Sequence, residues 1–339
     1  MTSATATTVF VSGANGFIAQ HIVKQLLEKG YTVIGTVRSA AKGESLKQLT
    51  NADKFSYEIV PDLVAEGGFD KVLQNHPEAT IFIHTASPVT FAATDIEKEL
   101  LQPAIQGTKN VLTAIENHGP NIKRVVITSS LVAMLSWTPT YSDHEKYHIE
   151  TDWNPITYEE SLTNPLFGYL GSKKFAELAA WEYMKEHQPK FDISFVNPTY
   201  VLGPQAYEIK DKSQLNFSAE IINGIVKLGA QDKIPELAGT FIDVRDVARA
   251  HLFAFERAEA IGKRLVLDEG KFSNEAIAKL INENFPESKV PKGDLNKEPE
   301  LYKKFVFNVD NHKTRELLGY EFIGLEQSVV DSVQQIYNA

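Results

Sequence analysis

The sequence predicts an α/β protein: a doubly wound parallel sheet of Rossmann type, with a smaller, mostly helical lobe. Three observations carry this. Short apolar segments such as Val9-Phe10-Val11 and Ile81-Phe82-Ile83-His84 alternate with longer stretches of helical period. A glycine turn, Gly13-Ala14-Asn15-Gly16, joins the first such segment to the first helix. Later segments end in small or hydroxylated residues, as in Thr85-Ala86-Ser87 and Ser129-Ser130. In open parallel sheets the carboxyl ends of the strands are where ligands gather.

The bulk composition narrows the classes. The chain has 339 residues, 43% hydrophobic and 23% charged, enough for one large or two modest cores. A net charge of −10 argues against nucleic acid as the main partner. The absence of cysteine removes disulfides, thiolate metal sites and cysteine nucleophiles, and suits a reducing compartment. Met1 to Thr8 lacks the basic region and apolar run of a signal peptide, and no apolar run is long enough to span a bilayer. The expectation is a soluble, cytoplasmic protein with no membrane partner. Asn216-Phe217-Ser218 matches the glycosylation pattern, which carries no weight without an export signal.

Taken in order, the first strand runs into an amphipathic helix that ends near Gly30, and a second strand covers Thr32 to Val37. The turn between them reads Gly-x-x-Gly-x-x-Ala. Glycines there let the backbone approach a pyrophosphate, and the helix start offers free N–H groups. Gly13, Ala14, Asn15, Gly16, Phe17 and Ile18 are therefore candidate cofactor residues. The second strand ends Thr36-Val37-Arg38-Ser39, where proteins that bind NAD usually carry an acid. Arg38 and Lys42 suit a 2′-phosphate, so the expected cofactor is NADP(H).

A third strand, Tyr57 to Val60, leads to Pro61-Asp62-Leu63. Asp62 either meets an adenine amine or is simply a cap ahead of a helix. Thr85, Ala86 and Ser87 leave room for a cofactor in the crevice, or simply make a turn before Pro88. A long helix covers Asp95 to His118, and Arg124 to Thr128 is the next strand. Asn164 is an N-cap and Pro165 a first helical residue. The helix then continues to Glu186 with Phe175, Leu178, Ala179 and Met184 at apolar spacing. Tyr169 and Lys173 lie four apart, on one face. An ammonium beside a phenol favours the phenolate, so Tyr169 is placed to exchange a proton near neutral pH. Strands at Asp192 to Val196 and Arg264 to Asp268 return to the sheet. The resulting division is a dinucleotide-binding domain of 1–198, completed by 239–270, and a substrate lobe of 199–238 and 271–339 over the sheet's carboxyl edge.

His144-Glu145-Lys146-Tyr147-His148 is a literal His-Glu-x-x-His. It lies in a polar connection between Pro139 and Pro155, with no third ligand in view, so no metal is expected and a solvated loop is. His84 reads as a packed residue at a strand end.

Glycine turn, strand-end serine and Tyr-x-x-x-Lys, in that order, resemble the short-chain dehydrogenase/reductases, specifically their extended, dihydroflavonol-reductase-like branch. The match runs through Val11 to Ala19, Phe82 to Pro88, Thr128-Ser129-Ser130, Tyr169 to Lys173, Asn197 to Pro204, Lys233 to Leu237 and Phe241 to Ala248. Within that branch it is similar to the yeast group of NADPH-dependent methylglyoxal and isovaleraldehyde carbonyl reductases. The resemblance implies that Ser130 polarises a carbonyl and Tyr169 is the acid. Lys173 would lower the tyrosine's pKa and hold the nicotinamide ribose. The glycine loop, Arg38, Lys42, Asp62, Leu63 and Thr85 to Ser87 would line the cofactor, with Pro198, Val201 and Ser218 flanking its nicotinamide and phosphate regions. Asn110 falls where many members place a fourth, water-organising Asn, or is a plain helix-face residue. Leu131, where relatives often carry an aromatic residue, and Met134 to Trp137 depart from the group. Leu131, Leu135, Leu166 and Tyr200 are candidates for an apolar substrate wall.

The expected function is hydride transfer from NADPH to aldehydes or ketones, such as methylglyoxal, branched aldehydes, diketones and aryl ketones, in a monomer or homodimer. A nucleotide-sugar epimerase is the alternative that Arg38 opposes. A non-catalytic NADP-sensing module would not need Ser130, Tyr169 and Lys173 together.

Overall fold

A computed structural model describes residues 7–87, 91–209 and 217–339; Pro88 and Asn216 lie outside them. Strands β1 (Thr8–Ser12), β2 (Thr32–Val37), β3 (Phe55–Ile59), β4 (Ala79–His84), β5 (Arg124–Thr128) and β6 (Tyr147–His148) occupy the first half. They are followed by β7 (Asp192–Pro198), β8 (Tyr200–Leu202), β9 (Ala238–Asp243), β10 (Arg264–Leu267), β11 (Gly270–Ser273) and β12 (Asn308–Val309). The helices of the first half are α1 (Phe17–Glu28), α2 (Ala40–Thr50), α3 (Asp70–Asn75), α4 (Gln102–His118), α5 (Tyr158–Ser161) and α6 (Pro165–His187).

Seven strands form one parallel sheet in the order β10-β7-β5-β4-β1-β2-β3. The expected doubly wound Rossmann sheet is thus observed. Its central strands are buried and largely apolar because helices cover both faces, whereas the edge strand β3 is partly exposed. The core gathers Phe10, Phe82, Phe195 and Phe69 with Ile34, Val125 and Leu112. The order of connection reverses between β1 and β4, which opens a crevice at their carboxyl ends.

The chain divides into two compact units. The larger comprises Met1–Asp143, Glu150–Asn197 and Ala248–Leu265; the smaller comprises His144–Ile149, Pro198–Val247 and Val266–Ala339. The smaller unit holds the sheet β11-β9-β8 and a core of Leu202, Phe241, Phe272, Ile277, Val329 and Val333. Residues 144–149, 198, 239–247 and 266–270 lie in it, whereas the sequence expectation runs 1–198 and 239–270 into the larger. The reason is pairing: β9 bonds to β8 and β11 and takes no place in the seven-stranded sheet. Among the described residues no helix is long and apolar enough to cross a membrane.

The His-Glu-x-x-His run is not a solvated loop. His148 is fully buried in β6, which pairs with β12. His144 Nδ1 bonds the Val306 carbonyl at 2.8 Å, and its ring stacks on Phe307 at 4.1 Å between centroids. Val306 and Phe307, just ahead of β12, claim this stretch, which the polarity of the local sequence hides. Among the described residues no group of three His, Asp or Glu is arranged to hold a metal ion.

Candidate active site

The glycine turn forms one wall of a cleft of about 230 Å³ at the crevice between β1 and β4. Gly13 has φ of +65°, a left-handed conformation that side chains resist, and a Cβ there would lie 3.1 Å from Ala86. Gly16 caps α1 without a side chain, leaving that helix's first N–H groups to the cleft. The opposite wall is Thr85, Ala86 and Ser87. They are fixed by Ser12, whose hydroxyl accepts the N–H groups of Thr85 and Ala86 at 3.1 Å each. The same hydroxyl lies 2.8 Å from Nδ1 of His84, which accepts its proton when neutral. Burial, with the Lys173 charge nearby, pushes His84 down to about 4, so the imidazole is neutral at pH 7.

The cleft's remaining walls are Asn15, Thr36, Val37, Arg38, Lys42, Val60, Leu63 and Phe69. Arg38 and Lys42 are exposed on its rim and form no ion pair among the described residues. No acid lines it. Two unpaired cations beside a bare helix start suit a dinucleotide carrying an extra phosphate.

Other candidates fall elsewhere. Ala14 is buried against Gly35, and the Phe17 side chain packs edge-on to His21, so Phe17 and Ile18 offer the cleft their backbone N–H groups only. Asp62 is absent from the walls too. Its carboxylate accepts the Val64 N–H at 2.8 Å and so caps a turn, not the expected helix, which starts only at Asp70. The Asn110 amide donates to the Val64 carbonyl at 2.6 Å and so holds the turn that carries Leu63. Thr36, Val37, Val60 and Phe69 were not foreseen. The first two immediately precede Arg38, a usable signal; Phe69 reaches the cleft only through tertiary packing.

Helix α6 starts as its sequence predicts. Asn164 Oδ1 accepts the Phe167 N–H at 3.1 Å and Pro165 follows. Gly168 lets the helix approach its neighbours, because a Cβ there would lie 2.4 Å from the Ile96 side chain. Lys173 is 8% exposed, and burial lowers its pKa to about 8. Its ammonium lies 5.8 Å from the centre of the Tyr169 ring and makes no hydrogen bond or ion pair among the described residues. Tyr169 is half-buried, with the Phe91 ring 5.5 Å away.

Ser130 is extended and buried at the end of β5. Its hydroxyl accepts the Val132 N–H at 3.4 Å, starting a short 3-10 turn, Leu131–Ala133. A small cavity of about 20 Å³ lies between His84, Ala86, Ser87, Thr108, Ser129, Lys173 and Glu177. Ala86 and Ser87 therefore wall both the cleft and the space around Lys173. Leu131 and Leu135 are buried, while Leu166 and Tyr200 are exposed. Pro198 and Val201 belong to the smaller unit, Val201 as a buried member of β8. Ser218 stands in the helix Phe217–Val226, and its side chain lies outside the described residues.

This sheet order, with a glycine turn at the crossover crevice and a cationic cleft beside it, defines a dinucleotide-binding α/β protein. Comparison with known proteins narrows the class. The chain belongs to the NAD dependent epimerase/dehydratase family, whose profile matches residues 9–267. It is 54% identical over 338 residues to a putative NADPH-dependent methylglyoxal reductase of Candida albicans, GRP2, covering 98% of each chain. It is 44% identical over 335 residues to the NADPH-dependent methylglyoxal reductase GRE2 of Saccharomyces cerevisiae, covering 97% of each. The crystal structure of Gre2 in complex with NADPH from Candida albicans superposes with a TM-score of 0.93 at 50% identity, over 98% of this chain and 99% of that one. The resemblance to the extended short-chain dehydrogenase/reductases therefore holds.

Proposed function

We propose that this protein is an NADPH-dependent carbonyl reductase acting on small aldehydes and ketones, with methylglyoxal and branched aldehydes as first candidates. The observation that carries the reading is the shared wall. Ala86 and Ser87 border both the cationic, acid-free cleft and the buried Lys173. A dinucleotide in the cleft is thereby brought toward the Tyr169 face of α6. The relatives' names, NADPH-dependent methylglyoxal reductases, support the same cofactor and substrate class.

In this reading Arg38 and Lys42 grip the 2′-phosphate, while the Gly13–Gly16 turn and the α1 start hold the pyrophosphate. NADPH, when bound, supplies the hydride. Ser130 donates a hydrogen bond to the substrate oxygen and orients it. Tyr169 donates the proton to that oxygen as negative charge develops there. The Lys173 ammonium, with no hydrogen bond or ion pair among the described residues, is available to ribose hydroxyls and favours the phenolate that Tyr169 leaves behind. Residues 199–238 and 271–339 are proposed as the substrate lobe from the chain pattern, and the cytoplasm is the proposed location.

The test is NADPH consumption with methylglyoxal, branched aldehydes and aryl ketones, with NADH alongside. Tyr169→Phe is expected to lose turnover with retained NADPH binding. Turnover near wild type would remove Tyr169 as the acid, and a strong NADH preference would remove the role of Arg38 and Lys42.

A further inference from the structure

Glu177 follows Lys173 by one helical turn and is 2% exposed, among the most deeply buried acids of the chain. Its two oxygens have separate tasks. Oε1 accepts Arg264 Nε at 2.6 Å. That guanidinium is itself held by the carbonyls of Glu150 and Asp152 and lies over the Trp153 ring, 4.1 Å from its centre. Oε2 accepts the Ser129 hydroxyl at 2.5 Å and Asn197 Nδ2 at 3.0 Å. Asn197 Nδ2 also reaches the Ser130 carbonyl at 3.3 Å. The chain is thus tied to one carboxylate oxygen on both sides of Ser130.

A buried ion pair adds little net stability over apolar packing, because desolvating both charges costs about what their attraction returns. The pair here is also incompletely satisfied. Asn197 Oδ1 and Arg264 Nη2 are buried without a hydrogen-bond partner. Such a network is poorly suited to stability alone, but it fixes direction well. Ser130 is extended, with φ −161° and ψ 154°, and in extended backbone consecutive side chains leave on opposite faces. Holding Ser129 toward Glu177 therefore sets where the Ser130 hydroxyl points, from the same helix face that presents Lys173.

We propose that Glu177 is a positioning residue for carbonyl reduction: through Ser129 and Asn197 its carboxylate aims the Ser130 hydroxyl and keeps it in register with Lys173. This rests on the reductase reading above. Ser129→Ala removes one bond to Oε2 and leaves the Arg264 ion pair intact. It is expected to fold, to lower kcat about tenfold, and to leave KM for NADPH and aldehyde within about twofold, since misplacement of a reacting group acts on the chemical step. Ser129→Thr, which keeps the hydroxyl, is expected to recover most of the loss. Glu177→Gln cannot accept all its donors and is expected to lose more, on the order of a hundredfold where it folds. Wild-type kcat in Ser129→Ala, or a loss confined to KM, overturns the proposal whether or not Glu177→Gln folds. Ser130→Ala run alongside separates the two readings. If it turns over normally, the role of Ser130 itself is wrong; if only Ser129→Ala does, the role of Glu177 is.

Discussion

The Ser12 hydroxyl at the end of β1 lies 2.8 Å from His84 Nδ1 at the end of β4. With the Thr85 and Ala86 N–H groups bonded to the same oxygen, one side chain ties two neighbouring strand ends into a single cleft wall. Ser12→Ala leaves these buried groups without that oxygen. The expected loss is about 1–3 kcal/mol of stability. NADPH affinity is expected to fall about tenfold as the Thr85–Ser87 wall loosens. Thermal melts and a fluorescence titration with NADPH read both, and unchanged affinity would show that the wall is held by other means.

The neutral state of His84 makes stability depend on pH. Its pKa is about 4 when folded, against roughly 6.5 in the unfolded chain. Above pH 6.5 both states are neutral and the full stability is present. As pH falls toward 4, the unfolded chain takes up a proton that the folded one refuses, so stability falls, by roughly 3 kcal/mol in all. Urea unfolding of wild type and His84→Gln across this range isolates the contribution. Identical slopes would mean that the imidazole is not buried neutral.

Arg38 and Lys42 are expected to separate the two nicotinamide cofactors. Arg38→Ala is expected to weaken NADPH binding by about 2 kcal/mol, some thirtyfold, with Lys42→Ala weaker because an ammonium lacks the planar fork. NADH binding should hardly change. Equal losses for both cofactors, measured by titration, would place these cations away from the 2′-phosphate.

Gly13→Ala meets two obstacles, a left-handed backbone and Ala86 at 3.1 Å. The strain costs about 1–2 kcal/mol, and relief requires the two walls to part. A lower melting temperature together with lost NADPH binding is expected; retained affinity would mean that the turn does not touch the cofactor.

Much of this was legible in the residues. The alternation of short apolar runs with helical periods specified the parallel sheet, since helices on its two faces bury the central strands. The start of α6 was legible because an Asn cap and a first-turn Pro act within four residues of each other. Arg38 and Lys42 could be placed at the cleft because the end of β2 has a known position in such a sheet. Local chemistry left other choices open. Asp62 could cap or bind, and it caps a turn; Asn110 could organise water, and its amide holds the Leu63–Ala65 turn. His144 and His148 read as part of a solvated loop, until Phe307 packed on one and β12 paired with the other.

What the sequence determined alone was whatever depends on near neighbours and periodicity: the strands, the glycine turn, the caps, and the shared face of Tyr169 and Lys173. Tertiary structure decided which side chains lose water and whose bonds they then must make. Glu177 reads as one more exposed acid on a helix, yet it is buried among Ser129, Asn197 and Arg264, which lie 48, 20 and 87 residues away along the chain. Burial removes water as a partner, so a charged or polar group's role passes to whichever groups the fold brings to it.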